Sequence, residues 1–319
     1  MNNIRLVVEV AKKWSDYLTP DALISLFEEF KAFNGIFYYL GSFVNFTDNP
    51  TVVFKYIEAA TRLEQFKEVE RVCRDNDHYN PAEVKEFLLQ QNLKDPRPLI
   101  HVCDRFDFVG ELTHYLYSKN MFAFIEAYVQ RMNPKATPPV VGALLDLNAG
   151  DEQIVKLLSQ VRPPVEDKTF YESLVAEVEK RNRLKILKGF LEARANEGSV
   201  DPHVHNGLAK IYIDTNNNAN HFLTNNKYYD SAVVGLYSES RDPHLAFVAY
   251  KRAWGACDEQ LISVCQRNGF WKVSARGNTD KHACSAVVAM QRGRWSNPHP
   301  FFFARFCFPS LLGRGSLPR

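Results

Sequence analysis

The chain has 319 residues, of which 45% are hydrophobic and 24% are charged, and its formal net charge is +2. This balance is typical of a folded globular protein and excludes an intrinsically disordered chain. No apolar run reaches about 18 residues, and no N-terminal stretch combines a basic start, an apolar run and a cleavage site. We therefore expect a cytoplasmic protein with no membrane-inserted segment.

The basic residues are unevenly distributed along the chain. Residues 271–319 contain eight lysines or arginines and one acid, Asp280, whereas residues 1–270 carry a net charge of −5 with both signs interspersed. A nucleic-acid-binding protein normally presents a basic stripe on its folded part. The charge pattern therefore predicts no nucleic-acid partner.

The six cysteines are scattered, with no CxxC pair and no regular spacing. In a chain of this size such usage indicates reduced and mostly buried thiols in a cytosolic protein. The cysteines are Cys73, Cys103, Cys257, Cys265, Cys284 and Cys307.

Helix start signals recur in chain order along residues 1–270. The first is Thr19-Pro20-Asp21, in which a capping hydroxyl precedes a proline in the first turn. The helix that follows is predicted to end at Phe33, with Asn34-Gly35 as the turn into the next helix. The same pair of a capping side chain and a proline opens four later helices: Asn49-Pro50, Asn80-Pro81, Asp201-Pro202 and Asp242-Pro243.

Apolar residues inside these helices repeat at i, i+3 and i+4, positions that share one face of an α-helix. Looser copies start at Phe54, Leu144 and Leu174, so that successive starts lie 25 to 45 residues apart. That spacing, about one helix pair, is typical of a stacked helical array. Five triplets are predicted to form buried faces: Leu23/Leu26/Phe27, Leu99/Val102/Cys103, Leu208/Ile211/Tyr212, Val233/Leu236/Tyr237 and Leu261/Val264/Cys265.

No segment alternates β-branched and polar residues as a half-buried strand would. We predict an all-α fold, a superhelical α-solenoid of short antiparallel helix pairs, over residues 1–270. In residues 271–319 the spacing is lost, and Gly, Pro and Arg surround the aromatic run Phe301-Phe302-Phe303. We predict that this segment is a divergent, poorly ordered basic tail, although a segment that touches membrane or RNA has a similar composition.

Two local patterns contain metal-ligating residue types. The segment Asp75 to Asn80 partly resembles a calcium loop, but Asn80 stands where the sharp turn requires glycine, and a turn followed by a helix cap explains it. His203 and His205 are two residues apart on a predicted helix, so they point about 200° apart and do not share one zinc ion. We predict a helix cap in the first segment and surface and core histidines in the second.

Cys103 with His101 nearby has the residue types of a thiol nucleophile, but Cys103 occupies an apolar core position of its helix. The sequence contains no GxSxG, HExxH, phosphate-binding loop or dinucleotide fingerprint. We therefore predict no catalytic residue, no metal site and no cofactor, and hence no enzyme.

Eight residue blocks carry a more specific signal than the helical spacing does. They are Phe54–Ala60 (FKYIEAA), Lys67–Val72 (KEVERV), Val102–Val109 (VCDRFDFV), Tyr115–Tyr117 (YLY), Glu177–Leu184 (EVEKRNRL), Ala209–Asp214 with Asn216–Asn218, Tyr228–Ser231, and Arg241–Ala246. These blocks, in this order across nearly all of residues 1–270, closely resemble clathrin heavy chain. The resemblance implies clathrin-type helical repeats from the leg of the triskelion, and a structural coat subunit with no cofactor.

The resemblance also implies the partners and the location. Other clathrin heavy chains are expected as partners through weak leg-to-leg lattice contacts, at the cytoplasmic face of coated pits and coated vesicles, in endocytosis and vesicle-mediated intracellular protein transport. Clathrin light chain is expected for the full-length family, but its main binding region is largely absent here, as are the β-propeller and the trimerisation hub. A different class remains open, a free-standing helical-repeat module that docks a partner helix or peptide.

Overall fold

A computed structural model describes residues 2–14, 17, 19–164, 167, 169–253 and 255–270. Within these ranges all the regular structure is helical, which confirms the predicted fold class. The chain divides between Arg181 and Asn182 into two compact units. The predicted tail, residues 271–319, lies outside the described residues.

In the first unit, helices that are two apart in the chain lie side by side, as α1 does with α3, α5 with α7, and α10 with α12. Neighbours such as α3 and α4, or α7 and α8, pack as hairpins, so the unit has two layers of helices. The helices are α1 (Asn2–Lys13), α2 (Pro20–Glu29), α3 (Phe33–Leu40), α4 (Pro50–Arg62), α5 (Phe66–Asp75), α6 (Pro81–Gln91), α7 (Arg97–Arg105), α8 (Val109–Ser118), α9 (Phe122–Ala127), α10 (Thr137–Asp146), α11 (Asp151–Gln160) and α12 (Phe170–Glu179). A π-turn at Tyr128–Met132 continues α9, and a 3-10 turn at Pro134–Ala136 leads into α10.

The second unit repeats this arrangement, with α14 beside α16 and α15 beside α17, and with α16/α17 and α17/α18 as hairpins. A 3-10 turn at Leu184–Leu187 precedes its first helix. The helices are α13 (Lys188–Asn196), α14 (Pro202–Thr215), α15 (Ala219–Asn225), α16 (Ser231–Glu239), α17 (Pro243–Arg252) and α18 (Asp258–Asn268).

The predicted helix starts are confirmed. At each one the capping side chain accepts a hydrogen bond from a backbone N–H of the first turn, and proline occupies the first helical position, where no N–H is needed. In α14, for example, Asp201 Oδ1 accepts from the N–H of His203 at 2.8 Å. The capping residues are Thr19, Asn49, Asn80, Asp201 and Asp242.

The turn predicted at Asn34-Gly35 is wrong. Helix α2 ends at Glu29, the backbone turns at Lys31 with φ of 51°, and α3 begins at Phe33, so that Gly35 lies inside α3. A Cβ atom at Gly35 would lie 2.6 Å from the ring of Phe27. The glycine therefore serves close helix packing rather than chain reversal.

Seven of the described helices, α2 among them, end in the same way. A residue in the left-handed region follows the helix, and the next N–H donates to a carbonyl five residues earlier, as Gln65 does to Ala60 at 2.9 Å. This is the Schellman pattern, which satisfies carbonyls at the end of the helix. The left-handed residues are Lys31, Glu64, Asp107, Asn120, Asn148, Gly198 and Asn216.

The predicted buried faces are confirmed in α7 and α18, whose triplets at Leu99 and Leu261 are buried throughout. In α2, Leu26 is 47% exposed although Leu23 and Phe27 are buried. In α14, Leu208 and Ile211 are buried and Tyr212 is half-buried.

The face predicted for α16 is wrong, because Val233 is 43% and Leu236 69% exposed. The buried residues of this helix are instead Val234 and Gly235, together with two serines one turn away. The ring of Tyr250 from α17 packs against Gly235, where an added Cβ atom would lie only 2.2 Å from Cε1. Burying a whole aromatic ring against small residues outweighs burying one leucine, so the helix turns its larger apolar residues outward.

Candidate functional site

Cys103, the candidate nucleophile, lies in the hydrophobic core and is 1% exposed. Burial raises the pKa of its thiol to about 12, so the reactive thiolate is strongly disfavoured. The neighbouring His101 approaches Glu70 of α5, with 3.8 Å between Nε2 and Oε1, and burial lowers its pKa. The predicted role of Cys103 as a small core residue is confirmed.

Residues 75–80 form the predicted turn and helix cap. Asn76 Oδ1 accepts from the N–H of His78 at 2.8 Å, and its Nδ2 donates to the carbonyl of Val44 at 3.0 Å. Asn80 then caps α6. In the part of the chain that the structure describes, no group of three His, Cys, Asp or Glu side chains is placed to hold a metal ion.

This turn is held by two further hydrogen-bonding side chains. The hydroxyl of Tyr79 donates to the carbonyl of Cys73 at 3.1 Å, back into the last turn of α5. From the end of α7, Arg105 donates to the carbonyl of Asn76 at 2.6 Å and to that of Arg74. We call this arrangement a clamped turn, because one guanidinium satisfies two carbonyls that the helices leave free.

The second unit contains a matching clamped turn at residues 226–230. Asn226 Oδ1 accepts from the N–H of Tyr228, and the hydroxyl of Tyr229 donates to the carbonyl of Leu223, both at 2.8 Å. From the end of α17, Arg252 donates to the carbonyl of Lys227 at 2.7 Å and to that of Tyr229. The two turns share their asparagine, their buried tyrosine, a capping side chain at the same place (Asn80 and Asp230) and an arginine two helices away, which indicates an internal repeat of about 150 residues.

His205 belongs to this second clamped turn. It is 4% exposed, with Nε2 2.7 Å from the carbonyl of Ser199 and Nδ1 2.9 Å from Nδ2 of Asn226. Because Asn226 Oδ1 already accepts from Tyr228, its amino group faces the imidazole, and His205 carries its hydrogen on Nε2. The prediction of a core histidine is confirmed here, while His203 is only half-buried.

Ion pairs join helices of successive repeats in both units. Typical pairs are Lys55–Glu28 at 2.5 Å, between α4 and α2, and Lys156–Glu126 at 3.1 Å, between α11 and α9. Such pairs are partly exposed, and each contributes at most about 1 kcal/mol. Others of this kind are Lys85–Glu111, Arg97–Glu70, Arg181–Asp146, Arg241–Asp214 and Arg267–Glu239.

Tyrosine hydroxyls make a second class of ties, each donating to a carboxylate on another helix. In the tie between α4 and α5, Tyr56 donates to Glu68 Oε1 at 2.9 Å, and the Arg71 guanidinium on the same carboxylate lowers the pKa of Glu68. Burial raises the pKa of the tyrosines in four of these ties, Tyr56, Tyr128, Tyr212 and Tyr250, so their phenols remain donors at neutral pH. The other ties are Tyr128–Asp104, Tyr212–Glu192, Tyr237–Asp214 and Tyr250–Glu239.

The outward face of α16 carries an apolar strip made of Val233, Leu236 and Tyr237, which we call the α16 ridge. The ring of Tyr237 is half-buried, with the Arg241 guanidinium 3.7 Å from its centroid and the Lys210 ammonium 5.1 Å away. An exposed leucine next to a tyrosine ring that two cations contact is the kind of surface that interfaces use. The spacing of these residues along the sequence matches a core-facing pattern, so the sequence did not reveal the strip as a surface.

These arrangements hold helices together and present surfaces. Five tyrosine hydroxyls and their carboxylate partners tie helices to one another. Of the histidine and cysteine candidates, Cys103 and His205 are buried as structural residues. None of the described helices is long and apolar enough to span a bilayer.

One family description, the region shared by clathrin and VPS proteins, matches the chain twice, at residues 11–151 and 163–282. Each of the two matched ranges contains one of the two clamped turns. The second match continues past residue 270, which is the predicted end of the solenoid.

Three relatives show the extent of the similarity. The chain is 52% identical over 300 residues to the clathrin heavy chain of Drosophila melanogaster, which is 93% of this chain and 17% of that protein. It is 51% identical over 274 residues to the clathrin heavy chain of Dictyostelium discoideum and 52% identical over 274 residues to clathrin heavy chain 2 of Homo sapiens, in each case 86% of this chain and 16% of the relative. The chain therefore spans about a sixth of the length of these relatives.

Proposed function

The chain belongs to the clathrin heavy-chain family, and from that membership we propose that it acts as a structural leg segment of a vesicle coat in intracellular protein transport. Its role is mechanical. The packed helical repeats maintain the shape of the leg, and their outer faces supply contacts to neighbouring legs. The observation that carries the proposal is the 52% identity over 300 residues to a clathrin heavy chain.

The contacts inside the repeats support a mechanical role. Clamped turns, tyrosine ties and ion pairs join successive helices at short intervals, so a displacement at one repeat is passed to the next. Lattice contacts between legs, by contrast, are individually weak. The assembly is stable because many such contacts act together over a polyhedral coat. A leg segment of this kind needs no catalytic residue, and the proposal includes none.

The proposed partners are other clathrin heavy chains, and the proposed location is the cytoplasmic face of coated pits and coated vesicles. Clathrin light chain is a partner of the full-length family, and we expect at most weak binding to this segment. We propose that residues 1–270 carry the coat function, and we propose no function for residues 271–319.

Co-assembly tests the proposal. The labelled chain is mixed with intact clathrin heavy chains before assembly is induced, and the coats are then pelleted. We expect the chain alone to sediment as a monomer, because single leg contacts are weak, and to pellet only when coats form around it. A matched sample added after assembly is complete should pellet less, because most lattice positions are then filled.

The second candidate function, a free-standing module that binds a helix or peptide, is favoured by one observation, the exposed α16 ridge. The same experiment separates the two. If the chain stays in the supernatant at every ratio to intact heavy chains, the coat proposal is wrong, and a peptide-binding screen against the ridge becomes the next test.

A further inference from the structure

The end of α9 departs from α-helical geometry. At residues 128–132 the helix widens into a π-turn, closed by the N–H of Asn133 donating to the carbonyl of Tyr128 at 2.9 Å, an i+5 to i bond. Pro134 follows, and Asn133, with φ of −140° and ψ of 82°, lies outside the α-helical region, which proline disfavours in the residue before it. Single π-turns cost helix stability, so one that persists is normally held by a specific contact.

That contact is a carboxylate of the neighbouring helix. Asp104 near the end of α7 accepts two hydrogen bonds on the same oxygen, Oδ1, from the hydroxyl of Tyr128 and from Nδ2 of Asn133, both at 2.7 Å. The two donors are therefore the first residue of the π-turn and the residue that closes it. Tyr128 is 1% exposed, so its hydroxyl has no access to solvent as an alternative.

The geometry links the width of the turn to the double hydrogen bond. If the last turn were α-helical, the N–H of Asn133 would donate to the carbonyl of Val129 instead of that of Tyr128. This change of acceptor by one residue would rotate Asn133 by about 100° about the helix axis. Its amide group would then turn away from Asp104, while Tyr128, earlier in the helix, would stay in place. Only the wide turn brings both donors to one oxygen.

We propose that Asp104, Tyr128 and Asn133 form a clasp that selects the π-turn, and that this segment is a conformational joint with two states, wide with the clasp closed and α-helical with it open. Release rotates Asn133 and shifts the start of the 3-10 turn at Pro134 by about one helical rise, which is about 1.5 Å. That shift changes the direction of the segment that leads into α10. Discrete changes of this kind are how packed helices switch direction. The proposal is independent of the coat function.

Hydrogen exchange and crystallography of the full chain test the joint. Asp104→Leu removes the acceptor of both side-chain hydrogen bonds, and we expect the backbone amides of residues 128–136, that of Asn133 included, to exchange at least about tenfold faster, because the segment is then free to pass between its two states. A crystal structure of this variant should show the N–H of Asn133 on the carbonyl of Val129. Asp104→Asn keeps an oxygen at the same place and should retain the wide turn.

Two further single-residue variants test the same clasp if Asp104→Leu does not fold. Tyr128→Phe and Asn133→Ala each remove one donor and should each give part of the effect. The matched control is Tyr56→Phe, which deletes the same phenol-to-carboxylate bond on a regular α-helix and should leave exchange at residues 128–136 unchanged. A π-turn that persists in Asp104→Leu with unchanged exchange at Asn133 would overturn the proposal, and Pro134 would then be its cause.

Discussion

Arg105 and Arg252 show what single residues contribute to this molecule. Each reaches from the end of one helix to the backbone carbonyls of a turn that began two helices earlier. Because a guanidinium presents several N–H donors in a rigid fork, it satisfies two carbonyls together, which an ammonium group does less well. The same arrangement occurs in both units, because in each the backbone carbonyls of a short loop need a hydrogen-bond donor.

We predict that Arg252→Ala lowers the stability of the second unit by about 1–2 kcal/mol, because the buried carbonyl of Tyr229 loses its donor. Arg252→Lys should recover only part of this, since the fork is lost. The measurement is the urea midpoint of unfolding followed by circular dichroism. Arg74→Ala is the control: it removes an exposed ion pair with Asp75, and the midpoint should not move. Equal shifts in the two variants would contradict the clamp.

A second prediction at this scale concerns pH. The pKa of Glu68 is held below its ordinary value of 4.5, chiefly by the hydrogen bond from Arg71. A lowered pKa in the folded state means that the stabilisation is complete above about pH 4.5 and is lost as the pH falls below it. The urea midpoint of the wild type should therefore fall with acidification from pH 5 to pH 3, and Glu68→Gln should flatten that dependence.

Glu68→Gln still offers an oxygen to Tyr56, so the comparison isolates the charge. At pH 7 the variant should be the less stable of the two, and the difference should shrink towards pH 3. A wild type and variant with parallel pH profiles would show that the Arg71 pair contributes nothing to folding.

At the scale of elements, α16 shows how a neighbour sets the orientation of a helix. Its apolar residues allow two buried faces, one with Val233 and Leu236 and one with Val234 and Gly235. The second is the one observed, because Tyr250 of α17 fills the space above Gly235 and donates to Glu239 at 2.7 Å. A short helix with few polar residues does not specify its own inner face.

We predict that Gly235→Ala destabilises the second unit by about 1–3 kcal/mol, because the new methyl group overlaps the Tyr250 ring and forces it to move. Gly110→Ala in α8 is the matched control. Nothing lies within 4 Å of a Cβ atom there, so the better helix former should be neutral or stabilising by up to about 1 kcal/mol. Thermal unfolding of both variants measures this, and a stabilised Gly235→Ala would refute the packing argument.

At the scale of the whole molecule, internal ties and outward surfaces have separate tasks. The clamped turns and tyrosine ties face inward or lie between helices, and they set the shape of each unit. The α16 ridge faces outward, where Leu236 is 69% exposed. If the chain works as a coat segment, apolar outward residues are the natural places for leg contacts.

We predict that the double variant Val233→Ser/Leu236→Ser still folds but pellets with reconstituted coats about tenfold more weakly, because the apolar area available to a partner is lost. The control is Val155→Ser/Val200→Ser, which removes two exposed apolar residues elsewhere, at 44% and 64% exposure. Equal loss in both double variants, or none in either, would show that the ridge makes no specific lattice contact.

Much of the fold could be predicted from local chemistry. The five helix starts follow from a capping side chain before proline, and Cys103 and His205 occupy the core or near-core places expected of them. The Schellman turns at Lys31 and Glu64 were not predictable, because lysine and glutamate are not residues that favour a left-handed backbone. Their conformation is imposed by the helices on either side.

The sequence by itself determined the all-α class, the helix starts and the family, since capping, periodicity and residue blocks are local properties. Only the tertiary structure decided which face of α16 is buried, where α2 turns, and that Arg105, Arg252 and Asp104 hold segments far away in the chain. Those outcomes depend on how large side chains such as Phe27 and Tyr250 fit against glycine and on which donors meet which acceptors. Both are properties of packed neighbours, which no pattern along a single helix contains.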